Sequence, residues 1–159
     1  MGISEINYDI QFEPIFSDFT FKGIEILSFK TSSSNKFVLN CAEIKIQKCY
    51  IISNSKTIDT SFKLDAKKET LSLSTKSNVT GKIKLCIEYT GILNDRLLGF
   101  YRSKYTDTSG KTKYLATTQF EAADARRAFP CWDEPATKAT FDVSLLVEKN
   151  HMAVSNMPI

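Results

Sequence analysis

Histidine and tryptophan are nearly missing from this 159-residue chain, which holds one of each, His151 and Trp132. A tetrahedral catalytic zinc usually takes three protein ligands, and no H-E-x-x-H occurs here to begin such a set. The four cysteines, at 41, 49, 86 and 131, form no C-x-x-C pair and show no framework spacing. They read as reduced, structural thiols. Cys131 has no histidine near it in sequence and is not expected to act as a nucleophile. His151 as a lone base has nothing nearby to orient it, and is expected in a turn from Glu148 after the last strand. There is no P-loop, no G-x-S-x-G and no G-x-G-x-x-G. The chain is therefore expected to hold no catalytic group, no metal and no cofactor of its own.

Long runs of any kind are equally scarce. No basic run exceeds two residues (Lys67-Lys68 and Arg126-Arg127) and the net charge is only +3, which argues against nucleic acid and anionic membrane as partners. No apolar stretch approaches the ~20 residues that span a bilayer. The start, Met1-Gly2-Ile3-Ser4-Glu5, lacks the apolar core of a secretory signal, and Ile6 stands where a myristoylation site needs Ser or Thr. A cytoplasmic setting is expected, in which the Asn78-Val79-Thr80 sequon carries no meaning.

What is present is alternation. Tyr8, Ile10 and Phe12 alternate with Asp9, Gln11 and Glu13, and Ile83, Leu85, Ile87 and Tyr89 with Lys84, Cys86 and Glu88. Phe37 with Leu39 and Ile44 with Ile46 make short strands, and Phe62-Leu64 and Leu71-Leu73 make a pair joined by the turn from Asp65 to Glu69. Ala139, Phe141, Val143, Leu145 and Val147 make a long last strand. Phe19 and Phe21 share one face, Ile24 and Ile26 take the other parity, and Gly23 between them is expected to mark a bulge or a close crossing. Turn residues recur between these runs, and no helix beyond one or two turns (Ala122 to Phe129) is expected. The pattern predicts a single all-β domain over residues 1–159, a two-sheet antiparallel architecture without repeats or linkers.

The stretch Thr117 to Pro135 breaks the pattern. It mixes charged side chains, two prolines, Gln119 and the single tryptophan, with neither strand nor long-helix periodicity. It reads as a shaped loop that presents polar groups, held by aromatic anchors. Glu121 either faces a ligand or spends its charge on the following turn, on Arg126 or on Arg127. Arg126 and Arg127 with Asp133 and Glu134 are expected to tie the loop across its base, since the planar guanidinium fork suits carboxylates. Phe129 and Trp132 would anchor the loop and Pro130 and Pro135 stiffen it. Phe120 is expected to point into the core.

Gln119-Phe120-Glu121, the run Ala125-Arg126-Arg127-Ala128-Phe129-Pro130-Cys131-Trp132-Asp133-Glu134-Pro135 and Lys138-Ala139-Thr140-Phe141 together resemble the N-terminal domain of zinc aminopeptidases of the aminopeptidase N type. Leu93-Asn94-Asp95 and Gly99-Phe100-Tyr101-Arg102-Ser103-Lys104-Tyr105 look more narrowly like the puromycin-sensitive branch, and Ser155-Asn156-Met157 continues the match. The resemblance implies a saddle-shaped β-domain packed on a catalytic domain that carries the zinc and follows it in the same polypeptide. It implies a chain incomplete at its C-terminal end and inactive alone, with peptides bound through their free N-terminus as substrates of the parent. Glu121 would grip the α-ammonium group and Gln119 would line the first specificity pocket. Two other readings share the scaffold: a leukotriene-hydrolase-like enzyme, whose pattern would place glutamine at both 119 and 121, and a non-catalytic interaction module.

Overall fold

The computed structural model describes residues 2–158. Nine strands form two sheets: β1 (Ile3–Ile15), β2 (Thr20–Asn40), β3 (Lys45–Ser53), β4 (Lys56–Ile58), β5 (Thr60–Asp65), β6 (Thr70–Ile92), β7 (Gly99–Thr106), β8 (Thr112–Gln119) and β9 (Thr140–Leu145). The larger sheet runs β4-β3-β6-β2-β1-β9, with β5 also paired to β6; β7 and β8 form a separate ribbon. The all-β, two-sheet expectation stands, and the only helical element among the described residues is one 3-10 turn, Ala125–Arg127.

Alternation decides which side chains go inside. Tyr8, Ile10 and Phe12 of β1, Phe21, Leu27 and Phe29 of β2, and Ile83, Leu85, Ile87 and Tyr89 of β6 are buried on one face. Each such burial contributes about 1.5–3 kcal/mol. The short strands expected around Phe21, Ile24 and Phe37 are one 21-residue strand. Its pairing with β6 slips between Thr31 and Ser34 and again between Ser34 and Lys36. Such irregularities bend a sheet. The bend lets Phe37 pack edge-on against Phe29 at 5.3 Å between ring centroids, so the far halves of β2 and β6, with Leu39, Leu71 and Leu73, join the same core. Phe62 pairs with Leu73 and Leu64 with Leu71, as the turn from Asp65 to Glu69 predicts.

Gly23 marks a close crossing and not a bulge. The register runs through it unbroken, with Tyr89 directly opposite. A Cβ at Gly23 would fall into the Tyr89 ring, and one at Gly91 into the ring of Phe21, its own partner across the same two strands. Each aromatic covers the glycine facing it. The parity of β2 is therefore kept, and Ile24 and Ile26 lie on the outer face.

The antiparallel expectation fails at one pair. β9 runs parallel to β1, from Asn7 opposite Thr140 to Phe12 opposite Leu145. Trp132 is held at Tyr8, near the start of β1, so the chain enters β9 from that same end. β9 is shorter than the alternation from Ala139 to Val147 suggests, and Phe141, Val143 and Leu145 remain exposed at the sheet edge. His151 closes the expected turn, its amide donating to the Glu148 carbonyl at 2.9 Å.

Candidate functional site

The segment from Thr117 to Pro135 is a loop only in its second part, because Thr117, Thr118 and Gln119 finish β8. Gln119 pairs with Gly99 at the base of the β7–β8 ribbon. Gly99 has φ +69, and a Cβ there would stand 2.7 Å from the Cβ of Arg127. Only glycine meets both conditions cheaply. The ribbon base is thus pressed against the turn that carries the arginines.

Beyond Gln119 the chain reverses sharply. The Phe120 ring packs edge-on against Phe129 at 5.8 Å, pointing inward as expected. The Asp124 amide donates to the Phe120 carbonyl at 3.0 Å, and the Arg127 amide to the Asp124 carbonyl at 3.1 Å. The Glu121–Ala122 peptide bond is cis. Gln119 and Glu121 are both exposed. The Glu121 amide donates to Gln119 Oε1 at 3.4 Å, whereas the Glu121 carboxylate makes no hydrogen bond or ion pair among the described residues.

The arginines explain why Glu121 stays free. Arg126 Nε donates to Asp133 Oδ2 at 2.9 Å and Nη1 to Glu69 Oε2 at 3.3 Å. Arg127 Nε reaches Asp124 Oδ1 at 2.9 Å, Nη1 reaches Glu43 Oε1 at 2.7 Å and Nη2 reaches Glu69 Oε1 at 3.0 Å. Burial works against both guanidinium charges, and these carboxylates outweigh it, holding both arginines above their ordinary range. Arg127 is engaged at all three nitrogens and Arg126 at two, each time by acids other than Glu121. The alternative that Glu121 neutralises Arg126 or Arg127 does not occur.

The tie at the base of the loop also differs from the expected one. Asp133 binds Arg126 as expected, but Glu134 is exposed and its side chain has no partner among the described residues. Its place is taken by Glu43, Glu69 and Asp124. Asp124 lies three residues before Arg127, a spacing that allows the pair on one turn. Glu43 and Glu69 were not legible, because they reach the arginines across 84 and 57 or 58 residues. Both stand on left-handed backbone, with φ of 59 and 51, an uncommon conformation for a residue with a side chain.

The far side of the loop is pinned to the large sheet. Asn40 and Cys131 exchange backbone hydrogen bonds at 2.7 and 3.0 Å. The Asp133 amide donates to Asn40 Oδ1 at 3.1 Å, and the Trp132 amide to the Tyr8 hydroxyl at 3.0 Å. Trp132 Nε1 donates to the Val38 carbonyl at 2.9 Å while its ring meets Phe29 edge-on at 5.1 Å. Cys131 is buried, and burial first, then Asp133, pushes its thiol well above the ordinary range. It is not a nucleophile at neutral pH.

The arrangement offers the unpaired Glu121 carboxylate and, two residues before it, a Gln119 side-chain amide whose only hydrogen bond among the described residues is the long one from the Glu121 N–H, on a platform fixed from both sides. Two depressions, around Lys30, Lys82 and Lys84 and around Lys22 and Glu88, lie on the outer face of the sheet and include neither group. No three His, Cys, Asp or Glu side chains among the described residues are gathered so as to hold a metal ion. The His151 ring is stacked on Phe16 at 4.9 Å. These residues do not fit a zinc site.

Residues 4–159 match the model of the Peptidase M1 N-terminal domain. The chain belongs to that family. It is 46% identical over 158 residues to Aminopeptidase 2 of Candida albicans, covering 98% of this chain and 17% of the relative. It is 44% identical over 163 residues to the alanine/arginine aminopeptidase of Saccharomyces cerevisiae, covering 99% of this chain and 19% of the relative. It is 37% identical over 159 residues to the puromycin-sensitive aminopeptidase of Caenorhabditis elegans, covering 96% and 17%. This M1 N-terminal domain thus spans less than one fifth of the length of these aminopeptidases. No helix among its described residues is long and apolar enough to cross a membrane.

Proposed function

We propose that this domain is the substrate-binding part of a zinc aminopeptidase that removes N-terminal residues from peptides. Glu121 binds the α-ammonium group of the peptide and Gln119 lines the pocket for the first side chain. The supporting observation is that Glu121 is exposed and unpaired while the two arginines close by in the chain are paired with Asp124, Asp133, Glu43 and Glu69 instead. A carboxylate kept free in this way suits an ammonium group, whose hydrogen bonds to it are charge-assisted. Gln119 both donates and accepts, so it can meet the substrate backbone as well.

Zinc belongs in this reading to another part of the same polypeptide, since the residues here do not fit it. When bound there it supplies the activated water; this domain supplies orientation and the grip on the amine. The partners are that catalytic part and the peptide, not nucleic acid and not a membrane, and the compartment is cytoplasmic. Glutamate at 121, where the leukotriene-hydrolase pattern has glutamine, favours the peptidase over the epoxide enzyme.

The experiment is Glu121→Gln in the full-length protein, assayed on a short peptide with a free amine. Loss of a charge-assisted contact of roughly 1.5–3 kcal/mol lowers kcat/KM by about one to two decades. An unchanged kcat/KM removes the assigned role, and turnover of a lipid epoxide without peptide hydrolysis replaces the reading.

A further inference from the structure

Glu25 sits in the middle of β2 with Ile10 of β1 on one side and Ile87 of β6 on the other. The unbroken parity of the strand turns it inward, between Gly23 and Leu27. It is 0% exposed, and neither carboxyl oxygen has a hydrogen-bond partner. Nothing in the alternation of the sequence accounts for an acid at this position, which otherwise belongs to the apolar face.

The titratable groups that face it come from every element packed on that face. Tyr8 comes from β1, Cys49 from β3 and Tyr89 from β6. Cys41 comes from the loop after β2, and Cys131 from the site loop. All are neutral at physiological pH. Burial first, then Glu25 itself, pushes Cys41 and Cys49 up to about 12, and burial holds Tyr8 and Tyr89 above their ordinary range. No lysine or arginine forms an ion pair with Glu25. The Tyr89 hydroxyl, also buried and unpartnered, lies on the same face, opposite Gly23. An ionised carboxylate has no counter-charge and no donor array here, so the un-ionised acid is the form this interior tolerates.

We propose that the folded domain carries Glu25 as a neutral carboxylic acid, and that its ionisation opens the sheet interior and loosens the Glu121 loop. The link is Tyr8. It stands opposite Leu27, one diagonal step from Glu25, and its hydroxyl accepts the Trp132 amide that pins the loop. Water or a displaced strand admitted to solvate Glu25 enters beside that anchor.

The sign follows from linkage. Burial alone raises the Glu25 carboxyl well above its ordinary value, so the unfolded chain releases the proton first as pH rises. The contribution of Glu25 to stability is fully present below about pH 4.3 and falls above it, by up to tenfold in the folding constant per pH unit, until the folded form also ionises. Glu25→Gln and Glu25→Leu remove this dependence.

The test compares the full-length protein with both variants by hydrogen exchange between pH 5 and 8. Comparison at equal pH cancels the intrinsic exchange rate. Protection of β1, β2 and β6 relative to Glu25→Gln is expected to fall by up to about tenfold per pH unit. The amides of Phe129, Cys131, Trp132 and Asp133 should follow β1. Infrared difference spectra at about pH 6 should show a protonated carboxyl band that either variant removes. A protection ratio independent of pH, or no such band, overturns the proposal. Strand amides that respond while the four loop amides do not overturn its second half. Glu25→Leu serves the comparison if Glu25→Gln does not fold.

Discussion

Glu69 Oε1 accepts from Arg127 Nη2 at 3.0 Å, while its other oxygen takes Arg126 Nη1 at 3.3 Å. One carboxylate from the β5–β6 turn thus holds two consecutive arginines of the site turn. Both arginines are mostly buried, so the pair is not a surface ornament. Glu69→Ala leaves each guanidinium short of an acceptor in a partly dry place and should destabilise the domain by about 1.5–3 kcal/mol. Urea unfolding of the full-length protein measures it, and Glu69→Gln should lose less.

Removing Glu69 has a second effect. It strips Arg127 Nη2 of its acceptor while Asp124 and Glu43 still hold Nε and Nη1, and Glu121 is the unpaired acid nearest to it in sequence. We expect Glu69→Ala to raise KM for free-amine peptides more than it lowers kcat, because the grip on the ammonium is diverted before chemistry begins. Initial-rate kinetics separate the two; an equal change in both parameters opposes the diversion.

Gly23 and Tyr89 form a lock that a methyl group breaks. Gly23→Ala forces the ring from its place in a close-packed interior, at about 1–3 kcal/mol. Tyr89→Leu removes the obstacle at the expense of a cavity. The double variant should therefore be more stable than the sum of the two single losses implies, by about 1 kcal/mol or more in a double-mutant cycle. Additivity within error would place the ring elsewhere.

The thiols give a chemical check. Cys41, Cys49, Cys86 and Cys131 are all buried, and burial pushes Cys41 and Cys49 up to about 12. The reactive thiolate is scarce and enclosed, so a maleimide reagent at pH 8 should leave these four unmodified in the native protein and label them in denaturant. Because the folded values of Cys41 and Cys49 lie above the unfolded ones, the contribution of these two to stability is intact below about pH 8.5 and declines as pH rises beyond it.

Much of the fold was legible because the core is built on period two. Tyr8, Ile10, Phe12 and the run from Ile83 to Tyr89 lie inside as their spacing says, and the pairing of Phe62 with Leu73 follows from one turn. The length of β2 was not legible, since Thr31 to Asn35 look like a turn and instead form the bend of a continuous strand. The parallel β1–β9 pair was hidden for a related reason: hairpin logic speaks only of neighbours in sequence, and Asn7 meets Thr140 from 133 residues away. At the site, the stretch from Thr117 to Pro135 stood out by its mixture of charged and aromatic residues, and the family resemblance singled out Gln119 and Glu121 within it. Glu43 and Glu69 did not, because an acid in a polar turn is unremarked until the backbone brings it to an arginine.

The pairing of the first strand with the last also governs how this domain is born. β1 leaves the ribosome well before β9, and its outer flank stays open until residue 145 has followed. At about 5–20 residues per second, that interval is on the order of 10 s. Throughout it the outer margin of β1, whose inner face bears Tyr8, Ile10 and Phe12, is bare, and an open strand edge of this kind invites pairing with another chain.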